Sequence, residues 1–495
     1  MLLLGIDLGT SSIKISVVDS SSGAVIATSS YPPVESEIIT LKSGWAEQSP
    51  EMWWTHVQEA IFQCHQQHQY NPADVAAIGI AYQMHGLVIV DKAQRSLRNS
   101  IIWCDSRAIE IGEAAGTALG ENCLKKRLLN SPGNFTAAKL AWVKKNEPEQ
   151  YAKIDKVMLP GDFIAMKLTG EVTTSNSALS EGIFWDFEKN ALSDDVMNYF
   201  GFDHSMIPQV RPVFSSHGTL LKPVAELLGL KPGIPVAYKS GDQPNNALSL
   251  NVTQPGEVAA TAGTSGVIYG VTDQLVCDKG SRVNTFAHVN HSAAEQRLGV
   301  LLCINGTGSM NRWTKTTFGN AISYEQMNQA AAGISAGSQG LRVLPFGNGA
   351  ERMLNNKLVG AHIHNLDLNQ HTASHVYRAV QEGIAFAFRY GLDILKENNM
   401  TPEIIRAGRA NLFLSEVFTQ SFVNITGVPV ELYENDGSYG AAIGAGLGAG
   451  IFESVEEAFV NRKPVKLIEP DGTHLEEHYQ DWRELLLQTL NKNHN

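Results

Sequence analysis

One short phrase occurs twice in this chain, and the repetition limits its possible folds more than any other feature. Gly5-Ile6-Asp7-Leu8-Gly9-Thr10-Ser11-Ser12-Ile13-Lys14 stands at the start, and Ala262-Gly263-Thr264-Ser265-Gly266-Val267 returns near the middle. Each copy lies between apolar, β-branched runs: Leu2 to Ile6 and Ile13 to Val18, then Val258 to Ala262 and Val267 to Tyr269. A Gly-Thr-Ser turn joining two strands predicts a tight hairpin whose glycine takes a positive φ. Its backbone N–H groups and hydroxyls are then free to surround an anion. Two such hairpins, one in each half, point to a duplicated fold that grips a polyphosphate from both sides. In the first copy Asp7 ends a buried strand, a place suited to holding a metal ion. Lys14, on the following strand, reads either as a point charge for a phosphate or as a solvated strand residue.

At 495 residues the chain is too long for one core, so two domains are expected, 1–247 and 248–495. The net charge of −12 argues against nucleic acid or an anionic membrane surface as partner. Small phosphorylated ligands still fit, because glycine loops and Mg²⁺ overcome a negative mean field locally. The five cysteines are scattered, without a CxxC pair, which reads as reduced thiols rather than a disulfide framework. With strand residues at the very start and no apolar run of membrane-spanning length, a cytoplasmic protein is expected.

The opening reads as a β-meander, Leu2–Asp7, Ile13–Asp19 and Ala24–Ser29. A helix follows, with Ser49 as N-cap, Pro50 in the first turn and a buried stripe of Trp53, Val57, Ile61 and Cys64. Next come a strand over 75–81 and a hairpin from Leu87 to Cys104. The order describes an α/β layer with a mixed sheet. Residues 110–230 read as helix and loop, and a strand over 234–238 leads to a helix from Asn245. A long helix is predicted over 373–396, where Gly383 and Gly391 signal close helix packing. The small-residue run from Asp436 to Gly450 reads as a loop leading into a tightly packed helix. Near the end, Tyr479–Leu490 reads as an amphipathic helix, covered by its own domain or by a second copy in a homodimer.

Three further places hold residues with chemistry. Asp242 follows a buried strand and precedes a helix, which fits a helix N-cap. It also fits a general base at the mouth of a cleft, where open α/β sheets bind ligands. Transfer of a γ-phosphoryl to a hydroxyl needs in-line placement, a divalent cation and a base, and Asp7 and Asp242, one on each side of a cleft, would serve the last two. Gln83-Met84-His85-Gly86 follows a strand end and offers polar groups to a polyol, although a loop histidine is usually just packed or solvated. Asp105 and Arg107 end another strand; an ordinary surface ion pair is the plainer reading of them.

Taken in order, GIDLGTSSIK, YQMHG, WCDSR, the Gly-Asp at 241–242, AGTSG and VQEGIAF at 380–386 resemble the FGGY carbohydrate kinases. The likeness extends through SPGNFTAAKLAWVKKNEPE from Ser131 and PFGNGAERMLNNKLVG from Pro345, along about nine-tenths of the chain. It implies two ribonuclease H-like (actin-type ATPase) domains flanking a nucleotide and sugar cleft. It also implies ATP and Mg²⁺ as cofactors, and Asp242 as the proton acceptor for a sugar hydroxyl. Asp7 matches the position associated with Mg²⁺, and Met84 and His85 match the sugar-contacting pair, with Gln83, Asp105, Arg107 and Gln243 nearby. Thr10, Ser11, Lys14, Gly263 and Thr264 match phosphate-loop positions, while Gly408, Ala410 and Asn411 stand on the adenosine side. Within the family, Gln-Met-His-Gly favours D-xylulose as the sugar, phosphorylated to D-xylulose 5-phosphate. A ribulose-like ketose or a polyol is the alternative, and an actin-like nucleotide switch is a further class. Two departures stand out. Gln243 replaces the usual Asn, moving the amide by one methylene. The usual Gly-Gly-Gly-Ala loop reads Ala407-Gly408-Arg409-Ala410-Asn411, and Arg409 could stack on adenine, pair with a phosphate or close that approach.

Overall fold

The computed structural model describes residues 1–319 and 321–492. The first half is built on strands β1 (Leu2–Leu8), β2 (Ile13–Asp19) and β3 (Val25–Tyr31), helix α1 (Pro50–His65), then β4 (Val75–Tyr82), β5 (Val236–Gly241) and α2 (Asp242–Ser249). The strand order is β5-β4-β1-β2-β3: an antiparallel meander, β1-β2-β3, extended by two strands parallel to β1. The second half repeats the plan with β6 (Val258–Ala262), β7 (Gly266–Thr272), β8 (Asn284–Ala287) and β9 (Leu298–Ile304). It continues with α3 (Gly308–Phe318), α4 (Ala373–Glu397), β10 (Ile405–Gly408), α5 (Glu416–Thr426), β11 (Val430–Tyr433), α6 (Gly437–Gly448), β12 (Lys466–Ile468) and α7 (Glu476–Lys492). Its order is β8-β9-β7-β6-β10-β11-β12. The run β9-β7-β6-β10-β11 has the same antiparallel and parallel pairings as β3-β2-β1-β4-β5, so the repeated phrase marks a repeated sheet.

Local chemistry explains the elements. Ser49 caps α1 by accepting from the Met52 N–H, and Trp53, Val57, Ile61 and Cys64 form its buried face, as their spacing predicts. Gly383 of α4 lies against the Val343 carbonyl, where a Cβ would overlap, which accounts for a glycine inside a long helix. The stripe of α7 is covered within the chain: the Trp482 indole donates to the Val343 carbonyl at 2.8 Å and Tyr479 donates to Asp393. Among the described residues, no helix is long and apolar enough to cross a membrane.

Several details differ from the sequence reading. Neither Gly9 nor Gly263 takes a positive φ. Gly9 is needed for space instead, because a Cβ there would stand 2.8 Å from the Ser12 carbonyl oxygen. The segment read as a hairpin over 87–104 folds back on itself, with Leu87 bridged to Ile101 and Val90 to Ser96, but its arms find further partners: Val88–Val90 pairs with Lys156–Met158, and Ser100–Ile101 pairs with Glu47–Gln48. The small-residue run from 436 is itself the helix α6 rather than a loop before one.

Packing crosses the line between the halves. Helix α6, from the second half, lies flat on the first sheet, where Cβ atoms at Gly5 and Gly79 would overlap the carbonyls of Ser438 and Ala441. In the other direction, residues 84–202 of the first half share a core with β8 and β9 of the second, through Phe135, Leu140, Phe286 and Leu301. Ser177 and Ser180 bond the backbone of Ala287 there, and Asn130 bonds that of Thr285.

Candidate active site

The carboxyl ends of β1 and β5 carry the two aspartates. Because β4 lies between these parallel strands, Asp7 and Asp242 project from the same sheet, about two strand spacings or roughly 10 Å apart. The expected arrangement, one carboxylate on each side of the cleft, is therefore corrected: both stand on the first half. Asp242 is the first residue of α2, whose N-cap is Gly241, and no side chain caps this helix. The carboxylate is thus free of the capping duty its position suggested.

Both acids hold their protons unusually strongly. Burial, reinforced by the Asp7 charge, pushes Asp242 up to about 7. Burial and the neighbouring Asp436 push Asp7 up to about 6, with Lys14 pulling the other way. Lys14 faces Asp7 across the β1–β2 ladder and lies 3.5 Å from Asp436. Asp436 caps α6 by accepting from the Ser438 N–H and hydroxyl. A Cβ at Gly437 would lie 2.5 Å from the Asp7 carboxylate, so that carboxylate abuts the first turn of α6.

These groups open into a cleft of about 320 Å³ to which both halves contribute. Asp7, Gly9, Lys14, Asp242 and Gln243 face Thr261, Gly408, Ala410, Asn411 and Asp436 across it. Ala262 and Asn411 also line a second cavity of about 340 Å³, which runs along Gly263, Thr264, Ser309, Arg312, Asn328 and Ser415. The Gly263 and Thr264 carbonyls accept from Gly308 and Ser309, tying the second hairpin to the start of α3. Arg409, in the loop at 407–411, pairs at the surface with Glu434, 2.9 Å away.

Met84 and His85 lie beside this centre, and a Cβ at Gly241 would touch the Met84 side chain at 2.6 Å. His85 adopts φ 62°, and its carbonyl is held by the buried Lys139 ammonium at 2.8 Å. The His85 ring packs on Phe135 and Phe286, and burial pushes it down to about 3, so it is neutral at physiological pH. Its Nδ1 lies 3.1 Å from the Glu181 carbonyl, which requires the proton on Nδ1 and leaves Nε2 as an acceptor.

Other predicted contacts are committed elsewhere. The buried Gln83 amide bonds Thr10 and Gln48, and Trp103 donates to the same Thr10 hydroxyl. Asp105 and Arg107 form a buried pair, with Arg107 also bonded to Glu47 and lying over Trp45. This is a buried rather than a surface pair, and Asp105 also accepts from the Ala46 N–H at 2.6 Å, so the two hold the segment at 46–47. Ser11 is exposed on the turn and lines neither cavity.

Residue-level reading did not single out Asp436 or Glu181 as part of this centre. Aspartate followed by a small-residue run is a helix N-cap signal that could have marked Asp436. Glu181 gave no signal: it is a fully buried carboxyl, pushed well up by burial and by Asp242.

Asp7 fits a divalent cation of the Mg²⁺ type, which takes one or two carboxylates and completes its shell with water and phosphate oxygens. Its carboxylate has no hydrogen-bond or ion-pair partner among the described residues and opens on the shared cleft.

With this geometry established, comparison with known proteins assigns the class. The model of the FGGY carbohydrate kinase N-terminal domain matches residues 2–249, and that of the C-terminal domain matches 258–449. The chain belongs to the FGGY family of carbohydrate kinases and is a sugar kinase. It is 30% identical to the xylulose kinase of Bacillus subtilis (strain 168), over 92% of this chain and 90% of the relative. It is 29% identical to that of Escherichia coli (strain K12), over 93% and 92%. The crystal structure of xylulose kinase from Rhodospirillum rubrum superposes with a TM-score of 0.87 at 24% identity, covering 100% of both chains.

Proposed function

We propose that this chain transfers the γ-phosphoryl group of ATP to the 5-hydroxyl of D-xylulose, with Asp242 as general base. The observation that carries the reading is Asp242 itself: a carboxylate without a capping role, raised to about 7, at the edge of a cleft lined by both halves. A base with that proton affinity is half-ionised near neutral pH and accepts a proton as the hydroxyl attacks. The resemblance to named xylulose kinases supports the sugar, and the neutral His85 ring supplies an acceptor for one of its hydroxyls.

In this reading the sugar site belongs to the half at 1–247 and the nucleotide site to that at 248–495. Adenosine occupies the cavity beside Arg312, Asn328 and Asn411, and the second hairpin offers Gly263 and Thr264 to the phosphates. Lys14 and the opposing loop at 408–411 flank the γ-phosphoryl, while Asp7 holds Mg²⁺. When bound, the cation spreads the charge that develops on the transferring group. Asp242 receives the hydroxyl proton, and Gln243 hydrogen-bonds the ketose beside it.

A phosphorylation screen over pentuloses, hexuloses and polyols tests the reading. D-xylulose should give the highest kcat/KM. Equal or better kcat/KM with ribulose or glycerol would contradict the sugar assignment.

A further inference from the structure

The cavity along the second hairpin holds one amide whose polarity is dictated from outside it. Asn328, on the helix Tyr324–Ala332, lines that cavity with Tyr324, Leu412, Leu414 and Ser415. Ser415 caps α5: its Oγ accepts from the Phe418 N–H, so its own proton needs a separate acceptor. That acceptor is Gln381 of α4, whose Oε1 lies 2.7 Å away, the ordinary length of an O–H···O bond. The Gln381 side chain is fully buried, and with Oε1 occupied its Nε2 donates to Asn328 Oδ1 at 2.9 Å. The cap of α5 thus sets the direction of three bonds in a row. Oxygen and nitrogen diverge from one planar carbon in an amide, so turning Oδ1 to Gln381 leaves the Asn328 Nδ2 as the group offered to the cavity. It has no partner among the described residues.

An N–H donor rewards an acceptor on a ligand and opposes another donor. Adenine presents acceptor ring nitrogens beside a donor 6-amino group, whereas a 6-oxopurine presents the N7 and O6 acceptors together. A donor at Asn328 therefore reads the acceptors that the two base types share. It gives no reward for the 6-amino group.

We propose that Asn328 is the base-reading residue of the nucleotide site, and that it selects purines through an acceptor on the ring edge. The donor class is then purine nucleoside triphosphates, 6-oxopurines included, rather than ATP alone. This rests on the sugar kinase reading above and deepens it at the nucleotide site.

The test is steady-state kinetics of the full chain with saturating D-xylulose and either ATP or ITP as the varied donor. In the wild type, kcat/KM for ITP should lie within about tenfold of that for ATP. Asn328→Asp exchanges the donor for an acceptor, which suits the 6-amino group and repels O6. The preference for ATP over ITP should then rise by about threefold or more. Asn328→Leu should raise KM for both nucleotides by about 3- to 10-fold. Its KM for the sugar should stay within about twofold, a split that general unfolding would not produce. If ITP is more than tenfold poorer in the wild type, if Asn328→Asp shifts the preference by less than threefold, or if Asn328→Leu raises the nucleotide and sugar KM values alike, this inference alone is overturned. If the wild type phosphorylates no ketose with any donor, the functional reading falls, and this inference with it.

Discussion

Asp7 and Asp242 leave water on folding without gaining a dedicated cation, so each binds its proton more tightly in the native state than in the unfolded chain. The sign of the linkage follows. A raised carboxyl favours the fold fully below its unfolded value near 4, and the contribution disappears as pH rises through about 6 to 7. The unliganded protein should lose stability over that window, on the order of 2 kcal/mol from Asp242 once solvent in the open cleft is allowed for. Asp242→Asn should therefore raise Tm at pH 8 and leave it unchanged at pH 4, read by calorimetry without ligands. An equal shift at both values would show that the carboxyl is not the titrating group. Sequence alone left Asp242 open between cap and base, because both roles need an aspartate before a helix. Only the missing capping bond separates them.

At the scale of elements, helix α6 holds the first sheet and the site together. Its approach is backbone to backbone, with Ser438 bonded to Ser16 at 2.7 Å and Asn245 donating to the Gly437 carbonyl at 2.8 Å. Gly5→Ala would drive a methyl group into the Ser438 carbonyl and should cost about 3 kcal/mol or more, measured by urea unfolding. Gly333→Ala is the control, since its Cβ meets nothing nearer than 3.5 Å. A Gly5→Ala loss no larger than the control's would show that α6 is not packed this way. The meander, α1 and α4 were legible because apolar period and caps are local signals. The fold-back of residues 87–104 was legible too, but not its outer partners, Glu47–Gln48 and Lys156–Met158, which lie far away in sequence. The two Gly-Thr-Ser hairpins were found, but for the wrong steric reason: at Gly9 space, not a positive φ, excludes a side chain.

In the whole molecule the two repeated sheets do not stand as separate bodies. The first half reaches the edge of the second sheet through Asn130, Ser177 and Phe135, and the second half returns α6 to the first. A composition-based boundary cannot anticipate such an exchange, because the small residues that permit it resemble a loop. The duplicated phrase foretold two sheets of one plan, whereas the placement of both aspartates on one sheet needed the strand order. In the proposed mechanism acid–base chemistry lies in the first half and nucleotide contacts mainly in the second. The central claim is that Asp242 takes the proton from the sugar hydroxyl. The most direct test compares kcat of the wild type and Asp242→Ala at saturating ATP and D-xylulose, with sugar affinity measured separately by calorimetry. The account predicts a fall in kcat of about 10²- to 10⁴-fold with sugar affinity retained. Turnover within tenfold of the wild type would contradict it.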